Sequence, residues 1–271
     1  MSRPGSLADS ARAVLATADA RAKAGASRAA AAAWRTGSIG DVGVAGAPDR
    51  PARPSRPELK APREMPKRRG AGTRDSRIAL LHAVAHIELN AIDLAWDIVA
   101  RFASPDLPRG FYDDWVNVGD DEARHFLLLS DRLAALGAAY GDLPAHDGLW
   151  RAASDTQHDL LARLAIVPLV LEARGLDVTP GMIARFEQMN DPAFGDIESA
   201  AALKIIYRDE IGHVAAGRRW FGWACAQRGA EPVATWHALV AKHFVGALKP
   251  PFNDEARGAA GFAAAYYAPQ Q

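Results

Sequence analysis

The sequence predicts an all-α fold: a bundle of four long helices with additional helices at its N- and C-terminal ends. Three observations predict it. Residues Leu7 to Trp34 are rich in alanine, the residue with the highest helix propensity. From Ser76 onward, apolar residues recur at spacings of three and four. Proline and glycine gather in a few connecting stretches. At 271 residues and 49% hydrophobic, the chain can bury one sizeable core with a tail, or two small domains. Composition marks three segments: 1–75, a helical start and an extended strap; 76–229, the bundle; and 230–271, a C-terminal helix and aromatic tail.

The alanine-rich start accommodates one or two short helices. Between Gly37 and Gly72 the composition shifts to Pro, Gly and Arg, and Pro51, Pro54, Pro57, Pro62 and Pro66 prevent regular helix. Ser76 is the expected cap of the first long helix, where Ile78, Leu81, Ala85, Glu88, Ile92, Ala95 and Val99 share one stripe. The second helix is expected from Asp113 to Leu136, ending at Gly137, with Val118, Glu122, His125, Leu129 and Leu133 inward. Residues 138–148 carry Gly141, Pro144 and Gly148 and should be irregular. At roughly 3.3 Å per residue this connection can reach on the order of 35 Å, enough for a long crossover between helices two and three.

A third helix is expected from Leu149 to Arg174, with Gly175 as its stop and Leu161, Ala165, Pro168 and Glu172 inward. Pro168 removes a backbone donor one turn before Glu172, so a kink is expected there. After Thr179-Pro180, a short helix to about Met189 and the turn Asn190-Asp191-Pro192 lead to a fourth helix, Asp196 to Arg228. Its stripe is Leu203, Ile206, Glu210, His213, Ala216 or Gly217, and Trp220. A last helix, Pro232 to Leu248, precedes Phe252, Phe262, Tyr266 and Tyr267.

Four carboxylates and two histidines therefore replace hydrophobes on inward faces, in the order Glu88, Glu122 with His125, Glu172, Glu210 with His213. Residues three apart on a helix project to one side, so each Glu-x-x-His can present both groups to one ion. Two lone glutamates with two Glu-x-x-His segments form the ligand pattern of ferritin-like di-metal bundles. Four carboxylates cancel two divalent ions, which makes their burial tolerable. Carboxylate and imidazole donors favour two iron ions, with manganese or a mixed pair as alternatives. Asp121 and Asp209 each precede a Glu-x-x-His and are candidates to orient an imidazole. His82 and His86 share a helix face, but Glu88 points elsewhere, so core or supporting roles suit them better. His146, His158, His237 and His243 lack ligand spacing and are read as structural or surface residues. Trp96, Tyr112, Trp115 and Tyr207 lie near the ligands as conceivable radical carriers, with core packing the simpler reading.

Charge and cysteine usage narrow the function classes. Lys plus Arg and Asp plus Glu both number 32, so no global field recruits nucleic acid or a membrane. Residues 49–77 hold ten basic and four acidic side chains, read as a strap that pairs with an acidic core. The single cysteine, Cys225, allows no internal disulfide and no rubredoxin-type centre. The N-terminus lacks a long apolar run, and the apolar stretch 165–171 is too short to span a bilayer. A soluble cytoplasmic protein is expected.

The strings His82-Ala-Val-Ala-His-Ile-Glu-Leu-Asn-Ala-Ile-Asp-Leu94, Phe111-Tyr-Asp-Asp-Trp115, Asp121-Glu-Ala-Arg-His-Phe126, Leu171-Glu-Ala-Arg-Gly-Leu-Asp-Val-Thr-Pro180, Asp209-Glu-Ile-Gly-His-Val214 and Ala216-Gly-Arg-Arg-Trp-Phe221 resemble the DUF455 family of bacterial ferritin-like proteins. The resemblance covers most of the chain. It implies a ferritin-like fold with Glu88, Glu122, His125, Glu172, Glu210 and His213 as the metal set, and it supplies no reaction. The expected function is an oxygen-activating oxidase or hydroxylase, with dioxygen and an electron donor as partners and a small-molecule substrate of unknown identity. Ferroxidase activity or metal storage is the first alternative, and hydroxylation of transfer RNA the second. A small homo-oligomer is compatible with the expected function and would count against ferritin-type storage.

Overall fold

The structure is a computed structural model and describes residues 5–65, 73–188 and 196–268. Among them every regular element is helical, and the one extended pairing is an isolated parallel bridge between Leu59 and Ala145. The chain forms two compact units: residues 1–148 with 191–194, and residues 149–190 with 195–271.

In the first unit, α1 (Leu7–Ala16) and α2 (Ala20–Arg35) form from the alanine-rich start. Ser6 caps α1 in a reciprocal box with Asp9, and Asp19 caps α2. Helix α3 (Arg74–Arg101) packs mainly on α4 (Arg109–Ala135), while α1 covers α3 and α2 covers α4. Helix α3 starts two residues before the expected cap: Thr73 is the N-cap, and Ser76 answers it from the N3 position. Helix α4 likewise starts before Asp113, after Pro108, whose fixed φ suits a helix entrance. Gly137, at φ +69°, ends the turn that follows α4.

The strap between α2 and α3 is extended, as its prolines require, apart from a single 3₁₀ turn at Pro62–Glu64. It is held by backbone bonds from Gly46 N–H to Ala100 O (2.8 Å), Ala52 N–H to Leu15 O (2.8 Å) and Lys60 N–H to Ala145 O (2.8 Å). The expected breaker Pro66 and the basic run Lys67, Arg68 and Arg69 lie outside the described residues. Together, strap, α1 and α2 bury the face of α3 opposite Glu88, which carries Asn90, Asp93 and Asp97. Lys23 of α2 pairs with Asp93 at zero exposure, and Arg53 of the strap reaches Asp93 (3.1 Å) and Asn90 (2.7 Å). Burial pulls the Lys23 ammonium down and pushes the Asp93 carboxyl up, and their mutual attraction opposes both shifts. Helix α3 is apolar and long enough to cross a membrane by composition, but 78% of its most apolar window is buried within the protein, as in a core helix.

In the second unit the expected third helix is broken. Helix α5 (Gly148–Asp155) ends in turns, and Asp159 caps α6 (Leu160–Ile166). A π-helical segment, Val167–Glu172, follows, and α7 (Ala173–Gln188) continues without a stop. Gly175 is therefore inside α7, and Pro180 also lies within it, so neither the expected stop nor the expected restart occurs. The distortion at Pro168 takes the form of this π turn: without an N–H, proline cannot bond the carbonyl four residues back, and the register slips by one residue. Met189 and the turn Asn190-Asp191-Pro192 fall outside the described residues.

Helix α8 (Ile197–Gln227) matches the expected fourth helix to within a residue at each end, with Asp196 as its N-cap. A Cβ on Gly217 would sit 2.3 Å from Pro168 Cβ, so the glycine is the notch that admits the proline ring. Helix α9 (Pro232–His243) ends five residues earlier than expected. The aromatic tail adds α10 (Asp254–Ala259) and α11 (Ala264–Tyr267), with Phe262, Tyr266 and Tyr267 packed around Trp236 and Arg257. Cys225 is a buried packing residue.

Candidate metal centre

In the first unit, α3 and α4 bring Glu88, Glu122 and His125 together. Their ligand atoms lie within 4.8 Å of one another, and all three residues are buried. His125 Nδ1 is 3.2 Å from Glu88 Oε2 and 3.5 Å from Glu122 Oε2. The helices approach closely because Gly119 leaves room for Trp96, whose indole nitrogen a Cβ there would meet at 2.7 Å. Trp96 donates to Ser27 Oγ (2.6 Å), which in turn donates to Gly119 O (2.6 Å), so α2 locks the crossing.

The electrostatics suit a cation. Burial, then the neighbouring Glu122 charge, pushes the Glu88 carboxyl well above its usual range, although His125 works in the opposite direction. Two carboxylates held together away from water destabilise each other's charged form, and a divalent ion reverses that sign. This buried Glu/His cluster could hold a metal ion.

In the second unit, α8 presents Glu210 and His213 from one face, with His213 Nδ1 at 3.7 Å from Glu210 Oε1 and both residues buried. Glu172 ends the π segment in a half-buried position. Each unit thus carries one lone glutamate and one Glu-x-x-His, on regular helices in the first and beside a π turn in the second.

The supporting candidates separate by contact. His82 Nε2 accepts the Gly141 N–H (2.9 Å), and His86 lies 2.8 Å from the Tyr140 hydroxyl. Both imidazoles stack on Tyr140. Burial lowers His86 to about 4, so it is neutral, and both histidines brace the 138–148 connection. Asp121 pairs with Arg124 (2.9 Å) and Asp209 with Arg208 (3.2 Å). Tyr112 bonds the Ser104 backbone, and the Tyr207 hydroxyl accepts from Asn253 (2.8 Å), so both have packing roles. The buried Trp115 indole N–H has no hydrogen-bond partner among the described residues.

Comparison with known proteins now adds the lineage. A family model described as "Protein of unknown function (DUF455)" matches residues 16–268. The chain belongs to the DUF455 family. An uncharacterized protein of Haemophilus influenzae is 43% identical over 209 residues, which cover 75% of this chain and 70% of that protein. No solved structure matches. In this DUF455 protein part of the basic strap is paired internally: Arg50 with Asp147, Arg53 with Asp93, and Lys60 with Glu58 of the strap itself.

Sequence reasoning passed over a second charged cluster in the DUF455 chain, Arg174, Asp177 and Arg257. Asp177 has zero side-chain exposure and accepts from Arg257 Nε (2.8 Å) and Nη2 (2.7 Å), and from the Asn253 N–H (2.9 Å). The i, i+3 spacing of Arg174 and Asp177 was a visible signal; Arg257 is 80 residues from Asp177 and was not.

Proposed function

We propose that this DUF455 protein is a ferritin-like di-iron carboxylate protein that reduces dioxygen and oxidises a substrate, as an oxidase or hydroxylase. Glu88, Glu122 and His125 of one unit and Glu172, Glu210 and His213 of the other would hold the metal pair. The observation that carries the reading is the burial of Glu88 and Glu122 beside His125, an arrangement that costs free energy unless a cation shares it. The donor set, carboxylates and imidazoles without thiolate, favours iron, with manganese or a mixed pair next.

When bound, such a pair supplies redox chemistry toward dioxygen at open coordination positions. The chain's own contribution is to hold three of the four carboxylates away from water, Glu88, Glu122 and Glu210, with Glu172 half-buried. Nδ1 is the imidazole nitrogen facing a carboxylate in both units, so ligation through it fixes the ring proton on Nε2. Glu172, half-buried on a distorted turn, is the carboxylate with the most freedom to change its position.

The test is metal analysis of protein purified without chelator, followed by oxygen uptake of the reduced, iron-loaded form. Expected are about two metal ions per chain, the number this ligand pattern holds, and iron oxidation faster than that of free ferrous ion. Absence of bound metal, or oxidation no faster than in buffer, overturns the reading. Repeated turnover of added ferrous ion without other substrate would move it to a ferroxidase.

A further inference from the structure

We propose that a groove in the second unit, bounded on one side by residues 244–249, binds an amphipathic anion: a carboxylate carrying an unbranched apolar chain of medium length. The groove encloses about 320 Å³, at the lower end of small-molecule sites. Leu149, Val170, Leu171, Phe244, Leu248 and Phe252 supply an apolar wall. Arg174, Lys249 and Arg257 supply three cations against the single carboxylate of Asp177.

The cations are held ready by different means. Arg257, 4% exposed, forks onto Asp177, lies over the rings of Phe252 (5.0 Å) and Tyr267 (4.4 Å), and leaves Nη1 without a hydrogen bond among the described residues. Arg174 uses only Nη1, donating to Lys249 O (2.7 Å), with longer contacts to Asp177 (3.3 Å) and Pro251 O (3.5 Å). Its Nε and Nη2 make no hydrogen bond there, and its side chain is 40% exposed. The Lys249 ammonium has neither a hydrogen bond nor an ion pair among the described residues. Guanidinium donors and an ammonium beside an apolar wall match a carboxylate head and a hydrocarbon tail.

The groove also shares the π turn with a proposed ligand, because Val170 and Leu171 line it and Glu172 follows directly. Binding of the anion nevertheless stands apart from the metal reading, since no ligand residue contributes to the groove.

The experiment is calorimetric titration of the full chain with decanoate below its micellar range, beside acetate and decyltrimethylammonium. Decanoate is expected to bind saturably at one site, while acetate and the cation do not. Lys249→Glu removes a charge-assisted contact and should weaken decanoate about tenfold or more. Ala247→Trp, at an exposed position on the groove wall, should weaken it comparably by filling the slot. Circular dichroism is expected to match wild type for both. No saturable heat with decanoate, equal binding of the cation, or wild-type affinity in both folded variants overturns the proposal. Decanoate binding to metal-free protein supports the groove whether or not the metal assignment stands.

Discussion

The two units carry the same ligand grammar on different backbones. In the first, Glu88, Glu122 and His125 project from unbroken helices, with exposures of 3%, 0% and 0%. In the second, His213 and Glu210 come from a regular helix at 3% and 9%, but Glu172 sits half-buried at the end of a π turn. The three candidate ligands of the first unit are all buried. The second keeps its irregular backbone beside the ligand, and the apolar, cation-edged groove lies on that same turn. Regular helices bury the candidate ligands of the first unit, whereas a distorted backbone leaves Glu172 of the second unit half-buried.

The largest expected effect tests the rigidity of the first unit. Lys23→Met leaves Asp93 buried with only Arg53 near it, and should cost about 3–5 kcal/mol by urea unfolding. Adding Asp93→Leu should recover much of that loss, because no charge is then stranded. A single variant as stable as wild type would show that the opposite face of α3 does not depend on the ion pair.

Next is the asymmetry between the halves. Glu122→Gln should lower bound metal about tenfold or more while leaving chelator-treated protein at least as heat-stable as wild type, since one of two repelling carboxylates is gone. Glu172→Gln should cost less metal, as befits a half-buried ligand on a distorted turn. Equal losses, read by metal analysis of the two proteins, would erase the distinction.

A smaller effect probes the notch beneath the π turn. Gly217→Val drives a side chain into Pro168 and should destabilise by about 1–3 kcal/mol. Gly212→Ala, on the same helix with open space at its Cβ, should be neutral or stabilising by up to about 1 kcal/mol. Similar melting temperatures for the two variants would show that the proline ring does not occupy the notch.

The smallest concerns pH. Burial raises the Asp159 carboxyl, but the Arg228 fork and the Leu161 N–H outweigh it, so the folded pKa lies below the ordinary carboxylate value. A depressed pKa contributes stability above the unfolded value that disappears as pH falls through the folded one. Asp159→Asn should therefore lower stability at neutral pH and flatten the acid limb of the stability curve, measured by unfolding between about pH 5 and pH 2.

Much of the first unit was legible because its helices are regular. Ile78 to Val99 and Val118 to Leu133 repeat at helical spacing, and each predicted inward residue is buried. The burial of Glu88, Glu122 and His125 could be read for the same reason. What spacing could not reveal was the second buried face of α3. Asn90, Asp93 and Asp97 lie off the apolar stripe, and they are buried because α1, α2 and the strap close over them and Lys23, Arg53 and Arg101 compensate their charge. The third helix failed differently: Gly175 and Pro180 have the local chemistry of a stop, yet packing of α7 on α8 carries the helix through both.

By itself the sequence determined that the chain is helical and which polar groups lie on inward stripes, because helical periodicity depends only on neighbours three and four residues away. It also located a distortion at Pro168, since a missing N–H is a local fact. Only the tertiary structure decided that the distortion is a π turn seated on Gly217, that an acidic face of α3 is buried by the strap, and that Arg257 meets Asp177 at a groove. Those outcomes depend on which distant segments share space, and burial of charge has no signature until its partner arrives.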